Sequence, residues 1–203
     1  MASRALLREV EAGERLGAGR TDRIKGSLLR AHLDWVRDHR SRDETIEFFE
    51  SLPAPMRSEL STILPTTWHP FATLITVDRA IVDRFGHGRF DILEELGAWS
   101  ARTTLGGVYR FFRREDLHEF FARAALLHVQ SQDFGTAAYD ATSETAGRMI
   151  HRGYSTFSPL YCASAIGFYR ECIRLHGGTR ITIAETSCHC HGDASCTFEL
   201  AWQ

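Results

Sequence analysis

The stretch AETSCHCHGDASCTFEL, residues 184–200, decides how the C-terminal part of this 203-residue chain folds. Successive side chains of a strand point to opposite faces of a sheet. This alternation places Glu185 at the end of one row of core-facing side chains and Cys196 at the end of another. The pair at residues 192–193, Gly-Asp, suits a turn that folds Cys188 back towards Cys196. We therefore predict two antiparallel strands whose connecting turn carries potential metal ligands.

These donors indicate a metal site. A buried carboxylate without a partner costs several kcal/mol, and a cation would remove that cost. Cys162 lies on a helix predicted over residues 159–175, which can cover the same end of the sheet. Three thiolates and one carboxylate form a closed tetrahedral set, which favours structural zinc over catalytic zinc. The candidate ligands are Cys162, Glu185, Cys188 and Cys196, with His189, Cys190 and His191 as alternatives. An oxidised cluster or free buried thiols are the competing interpretations.

A family resemblance rests on the spacing of these donors. The pattern Glu-x2-Cys-x7-Cys, preceded 23 residues earlier by a cysteine on a helix, resembles the zinc site of the 4-vinyl reductase domain. That domain occurs in the phenol- and xylene-sensing regulators of bacterial sigma-54 transcription. The segments RIKGSLLRAHLDWVRDH, LPTTWHPFATLITVDRAI and LGAWSARTTLGGVYRFF resemble a bacterial family of about this size that is related to the same domain. The resemblance implies structural zinc as the cofactor and a homodimer.

The resemblance also implies that a small hydrophobic or aromatic molecule binds between the sheet and the helices. Aromatic side chains are abundant enough to line such a site. The candidate ligand-binding residues are Trp68, His69, Trp99, Tyr109, Phe134, Tyr154 and Tyr161. Ordinary core packing is the competing interpretation for each of them. The histidine and tryptophan that anchor phenol in the sensors have no counterpart here, so phenol itself is not carried over.

Ten histidines raise haem as an alternative cofactor, with His118, His128 or His151 as its ligand. Haem-based nitric oxide sensors of a similar outline carry a Tyr-x-Ser-x-Arg signature that binds the haem propionates. The nearest string in this chain, YSTFS at residues 154–158, has no such arginine. The sequence therefore argues against haem.

Helical periodicity dominates the first part of the chain, and the first helix is expected to begin near Ile24 with Asp22 as its cap. The pattern becomes partly alternating near Asp133, which predicts strands over residues 136–141 and 144–150. This order predicts an α+β fold in which a helical N-terminal half packs on a small antiparallel sheet, as in the 4-vinyl reductase domain. The expected organisation is a flexible arm over residues 1–22 and a single domain over 23–203, with a helical part at 23–130 and the sheet and metal site at 131–203.

Composition bounds the functional class. A net charge of −2 argues against nucleic acid as a partner, because phosphate binding needs a basic face. No apolar stretch reaches transmembrane length and no signal peptide is found, which predicts a cytoplasmic protein without a membrane partner. Five cysteines, an odd number, agree with reduced thiols and metal better than with disulfides. A closed metal site and the lack of a recognisable nucleophile motif argue against an enzyme.

These features predict a non-catalytic regulatory module with structural zinc, which binds a small hydrophobic or aromatic molecule and signals through a protein partner. Two alternatives stay open. One is a protein-interaction adaptor without a small-molecule ligand, and the other is a tetrapyrrole-binding or tetrapyrrole-processing protein.

Overall fold

The computed structural model describes residues 14–16, 22–106 and 116–203, and in these ranges helices come first and a sheet follows. The order confirms the α+β class. Of the predicted N-terminal arm, residues 1–13 and 17–21 lie outside the described part. The elements are β1 Arg23–Lys25, α1 Gly26–His39, α2 Arg42–Ser51, α3 Ala54–Ser61, β2 Trp68–Pro70, α4 Phe71–Phe85, α5 Asp91–Gly106, α6 Leu117–Leu126, α7 His128–Ser131, β3 Thr136–Ser143, β4 Ala146–Arg152, α8 Pro159–Leu175, β5 Thr182–Ser187, a 3-10 turn His189–His191, and β6 Ser195–Ala201.

The first helix begins later than its apolar periodicity predicts. Ile24 lies in the short strand β1, which pairs antiparallel with β2, so α1 begins only at Gly26. Asp22 does not cap this helix. Its carboxylate instead accepts hydrogen bonds from the hydroxyls of Ser155, at 2.5 Å, and Thr156, at 2.7 Å. Asp22 therefore ties the beginning of the domain to the loop before α8.

Helix ends follow local side-chain chemistry. Ser41 caps α2 through a capping box, in which its hydroxyl accepts from the N–H of Glu44 and the Glu44 carboxylate accepts from the N–H of Ser41. Ser158 caps α8, and Pro159 occupies its first turn, where a missing N–H costs nothing. Among the helices described, none has both the length and the apolar character required to cross a bilayer.

The main sheet has the strand order β3-β4-β6-β5, and every neighbouring pair is antiparallel. The strands predicted at 136–141 and 144–150 are present, with ends shifted by about two residues. Alternate side chains of β4 and β6 face the core, among them Met149, His151, Cys196, Phe198 and Leu200, which are all at most 6% exposed. The inward face of the sheet packs on α8 and α6. The sheet thus closes one side of the domain while α8 runs through its middle.

The backbones of helices α5 and α8 lie very close together because each helix has a glycine, without a side chain, at the contact. A Cβ placed on Gly97 would lie 1.9 Å from the carbonyl oxygen of Ser164, and one on Gly167 would lie 1.9 Å from the carbonyl oxygen of Glu94. These neighbours are backbone atoms, which cannot turn aside as a long side chain can. The two glycines therefore fix the separation of the helices between the helical core and the sheet.

We predict that Gly97→Ala lowers the free energy of unfolding by about 2 kcal/mol or more, because the added methyl must push the two helix backbones apart. Urea unfolding of the variant and the wild-type protein measures this. Gly106→Ala is the matched control on the same helix, since no atom of the described residues lies within 4 Å of its added Cβ. We expect its stability to be unchanged or slightly raised. Equal stability of Gly97→Ala and the wild type would contradict the close helix crossing.

Candidate functional site

A cavity of about 510 Å³ lies between the helical part and the sheet. Its volume falls in the range of small-molecule sites. Residues of α1, α5, α6, α7, β3, β4 and α8 contribute to the wall. Much of this lining is apolar, as at Leu28, Leu105, Phe120, Met149 and Phe168. The fold therefore provides an interior site suited to a largely apolar ligand.

Three histidines from different elements line this cavity: His32 of α1, His128 of α7 and His151 of β4. All three are less than 10% exposed. A neutral imidazole offers one nitrogen that can bind a metal or accept a hydrogen bond. The cavity thus combines apolar walls with nitrogen donors that come from both the helices and the sheet.

His32 is held by a buried carboxylate. Its Nδ1 lies 2.5 Å from Oδ1 of Asp78 on α4, and Asp78 has no exposed surface. In the described part of the chain, Nε2 of His32 has no hydrogen-bond partner. Oδ2 of Asp78 is also buried without one. A carboxylate that fixes one imidazole nitrogen and leaves the other for a ligand is the usual support of a metal-binding histidine.

His151 and His128 are neutral parts of the same wall. Burial lowers the pKa of His151 to about 3, helped by the neighbouring rings of His128 and His189. Burial also lowers the pKa of His128, partly opposed by its hydrogen bond to the Phe134 carbonyl. Nε2 of His151 lies 2.7 Å from the hydroxyl of Tyr169, so one nitrogen of this ring is already bonded.

Two further polar groups face the cavity. The hydroxyl of Ser100 is buried and, among the described residues, has no hydrogen-bond partner. The Gln132 side chain donates to the hydroxyl of Tyr161 and accepts from that of Tyr154 at 3.3 Å. An unpaired buried hydroxyl is costly, so Ser100 is available to bond to a ligand.

A cluster of thiols, which we call the thiol cluster, lies at the end of the sheet. It comprises Cys162 of α8, Cys188 after β5 and Cys196 of β6, together with the carboxylate of Glu185 on β5, and one donor atom from each lies within 4.8 Å of the others. The three cysteines are buried and free of disulfides. The turn predicted at Gly-Asp is present, with Gly192 in the left-handed region at φ 91°.

Burial and mutual hydrogen bonds shift the pKa values of the groups in the thiol cluster. Burial raises the pKa of Glu185 to about 7. Hydrogen bonds to Cys188 and Cys196, together with burial, raise the pKa of Cys162 well above its usual value. Hydrogen bonds from Cys162, Cys190 and Cys196 lower the pKa of Cys188. Neighbouring donors thus stabilise one thiolate, and the crowding of negative charge opposes a second.

The aromatic residues proposed from sequence are dispersed. Tyr161 lines the cavity, whereas Tyr109 lies outside the described residues. The ring of Trp68 lies under Lys25, at 4.0 Å, and His69 bonds to Glu59 at 2.7 Å. The remaining three pack elsewhere: Phe134 against Phe71, Trp99 against His39, and Tyr154 against His151 with its ring near a separate polar cleft beside Arg15.

Sequence reasoning missed His32, Asp78 and Ser100. A signal was present for two of them. Asp78 lies in the apolar stripe of α4, one turn after Leu74, and His32 lies beside Leu33 in the stripe of α1. A charged residue on a buried stripe requires a partner, so two such positions on neighbouring helices indicate a pair. Ser100 gives no comparable signal, because small hydroxyl residues are common inside helices.

No family model matches the chain, and no curated protein matches it. Solved structures do match. An H-NOX protein from S. oneidensis in the Fe(II)NO state is 14% identical with a TM-score of 0.68, covering 89% of this chain and 99% of that one. An oxygen-binding H-NOX domain related to soluble guanylate cyclases is 15% identical with a TM-score of 0.67, covering 89% and 95%. A mutant Fe(II) unliganded H-NOX protein from K. algicida is 10% identical with a TM-score of 0.67, covering 89% and 97%. At these identities the likeness establishes a shared fold.

This likeness corrects the family assignment. The assignment to the 4-vinyl reductase domain, which rested on the sequence, is wrong, because the structures that share the fold of this chain are H-NOX domains. The role as a zinc-stabilised sensor of an aromatic molecule was inferred from that assignment and is wrong with it. Zinc as the cofactor is also unsupported, since the matching proteins are described with Fe(II) or heme. The pattern Glu-x2-Cys-x7-Cys fixes a few donor atoms, whereas the packing of the whole chain decides its fold. The chain therefore adopts the H-NOX fold.

The neutral state of His151 predicts a loss of stability in acid. An unfolded histidine titrates near pH 6.5, so below this value the unfolded chain binds a proton that folded His151 refuses until about pH 3. The free energy of unfolding should therefore decrease as the pH is lowered from about 6.5 to about 3. His151 should contribute up to about 1.4 kcal/mol to this decrease for each pH unit. We expect His151→Gln to remove that part of the dependence in urea unfolding at pH 7 and pH 5. His191→Gln, at an exposed histidine, should leave it unchanged. An identical pH dependence of His151→Gln and the wild type would refute the assignment.

Proposed function

We propose that this chain is a non-catalytic sensor domain that holds haem in the cavity, with His32 as the protein ligand of the iron. One observation carries the proposal. A buried histidine, fixed by a buried carboxylate at 2.5 Å, lines an apolar cavity of about 510 Å³. The H-NOX domains of the same fold, one described as oxygen-binding and another in an NO-ligated state, support it by analogy.

The His32–Asp78 pair is suited to iron. Haem iron is commonly held by a histidine, and a hydrogen bond from the other ring nitrogen orients that histidine and raises its basicity. Because Asp78 engages Nδ1, Nε2 is the nitrogen left for a ligand. His32 and Asp78 come from two packed helices, so the ring is held by the core of the domain.

The cavity lining offers more apolar contacts for the flat ring of haem than it offers polar partners for the haem propionates. Phe120, Phe168 and Met149 provide apolar surface on several sides. Among the described lining residues, Arg123 is the cation other than histidine that could pair with a propionate. The hydroxyls of Ser100 and Thr104 could accept or donate further bonds. The sequence argument against haem relied on the missing Tyr-x-Ser-x-Arg string, and these lining residues offer another set of partners.

A signal from this cavity would leave through the side chains around it. Bound haem would supply an iron site for a small gas molecule. His151 lines the cavity and stacks on Tyr154 at 5.5 Å, and Tyr154 contacts His189 in the turn of the thiol cluster. Ligand binding that displaces His151 would therefore reach the end of the sheet. A small-molecule ligand and a protein partner agree with such a role, and a homodimer stays a prediction.

Haem titration tests the proposal. We expect the haem-free protein to bind one equivalent of haem with a Soret band typical of histidine ligation. His32→Ala should lose that band, and added imidazole should restore it, which separates iron ligation from a folding defect. His39→Gln, on the same helix but away from the cavity lining, should behave as the wild type. Failure of the wild type to bind haem stoichiometrically, or an unchanged spectrum of His32→Ala, would overturn the proposal.

Asp78 should influence the redox potential of bound iron through His32, without contacting the iron. We predict that Asp78→Asn raises the Fe(III)/Fe(II) midpoint potential of the haem-loaded protein, because an amide donates less electron density to the imidazole than a carboxylate does. Spectroelectrochemical titration measures the potential. Asp83→Asn, on the same helix and outside the cavity lining, serves as the control. A potential equal to that of the wild type would show that the His32–Asp78 bond is merely structural.

A further inference from the structure

The thiol cluster is independent of the cavity proposal and has the shape of a coordination site. The three distances between its sulfur atoms are nearly equal: Sγ of Cys162 lies 3.9 Å from that of Cys188 and 3.8 Å from that of Cys196. The Sγ atoms of Cys188 and Cys196 are 3.8 Å apart. A disulfide would need about 2.05 Å. The sulfurs are therefore unbonded and occupy the corners of a nearly equilateral triangle.

This triangle has the size that tetrahedral coordination requires. A metal–sulfur bond of about 2.3 Å gives a sulfur–sulfur edge of about 3.8 Å in a regular tetrahedron. All three observed distances agree with that edge to about 0.1 Å. Van der Waals contact could bring two thiols this close. The mutual contact of three, drawn from a helix and both sides of a strand turn, defines one face of a tetrahedron.

Glu185 supplies a fourth corner. Its carboxylate belongs to the set of donor atoms that lie within 4.8 Å of one another. Oε1 of Glu185 is buried and, among the described residues, has no hydrogen-bond partner. A buried carboxylate oxygen without a donor is costly unless a cation binds it. This oxygen thus points to a positive charge that the protein itself does not provide.

The surroundings hold the donors in place. The N–H of His189 donates to the sulfur of Cys196 at 3.4 Å, as backbone amides do around metal-bound thiolates. The carboxylate of Asp193 accepts from the N–H of Cys188 at 2.8 Å and so fixes the turn. Cys162 lies in the first turn of α8, so the cluster joins this helix to β5 and β6.

We propose that Cys162, Cys188, Cys196 and Glu185 bind one thiolate-preferring divalent transition-metal ion in tetrahedral coordination. Four protein donors leave no open position, so the ion has a structural role. It crosslinks α8 to the β5–β6 turn and neutralises the crowded thiolates. Binding displaces protons from the thiols to solvent, with no change in oxidation state.

Cobalt(II) is the probe, because its spectrum reports both thiolate ligation and tetrahedral geometry. The chelator-treated, reduced 203-residue protein should bind one equivalent and show thiolate-to-cobalt charge transfer with strong visible bands. Elemental analysis of the freshly purified protein should find about one equivalent of a transition metal. Because haem iron would add to this total, the analysis is made on haem-free protein, so the result is independent of the cavity proposal.

Variants distinguish the four donors from the neighbouring thiols. Cys162→Ser, Cys188→Ser and Cys196→Ser should each weaken cobalt binding more than about 100-fold, and Glu185→Gln should weaken it and alter the visible bands. Cys172→Ser, at a thiol outside the cluster, is the control and should bind as the wild type. Cys190→Ser removes only a hydrogen bond to Cys188 and should weaken cobalt binding by no more than about tenfold. Loss of cobalt in Cys190→Ser with retention in Cys162→Ser would overturn the assignment. So would a wild-type protein that binds no cobalt, or one whose cluster thiols are recovered as a disulfide.

Discussion

A carboxylate with no exposed surface must find a partner inside the protein, and Asp78 finds it in His32. This contact joins α4 to α1 and leaves one imidazole nitrogen of His32 for a ligand. A leucine at position 78 would pack a helix interface of this kind without the cost of burying charge. His32 and Asp78 form a buried pair next to an apolar cavity, and this position is the ground for proposing that His32 binds a ligand.

The cavity exists because the helices around it are held at set distances. Gly97 and Gly167 let α5 and α8 approach until backbone meets backbone, which fixes the wall on that side. Strands β3 and β4 contribute the sheet side of the wall through Ala137, Met149 and His151. At the end of the same sheet the thiol cluster ties α8 to the β5–β6 turn. The cavity and the thiol cluster thus share helix α8 and the main sheet.

The sequence indicated local structure better than family. Strand alternation and a Gly-Asp turn correctly predicted β5, β6 and the connection that carries Cys188 and Cys196, because these features depend on neighbouring residues. The first helix was placed too early, since pairing of Ile24 with β2 is a long-range event. The pair His32–Asp78 joins residues 46 apart, so it could be suspected from two polar positions on apolar stripes but not assigned. The predicted family was wrong because it rested on the spacing of four donor residues, which does not determine the fold of the whole chain.

A crystal structure of the haem-reconstituted protein tests the central claim most directly, since it shows where the iron lies and what binds it. We predict a haem between α1 and the sheet, with the iron bonded to Nε2 of His32 and Nδ1 still bonded to Asp78. Iron ligated by another histidine, haem bound at the surface, or a cavity that stays empty at saturating haem would contradict the account.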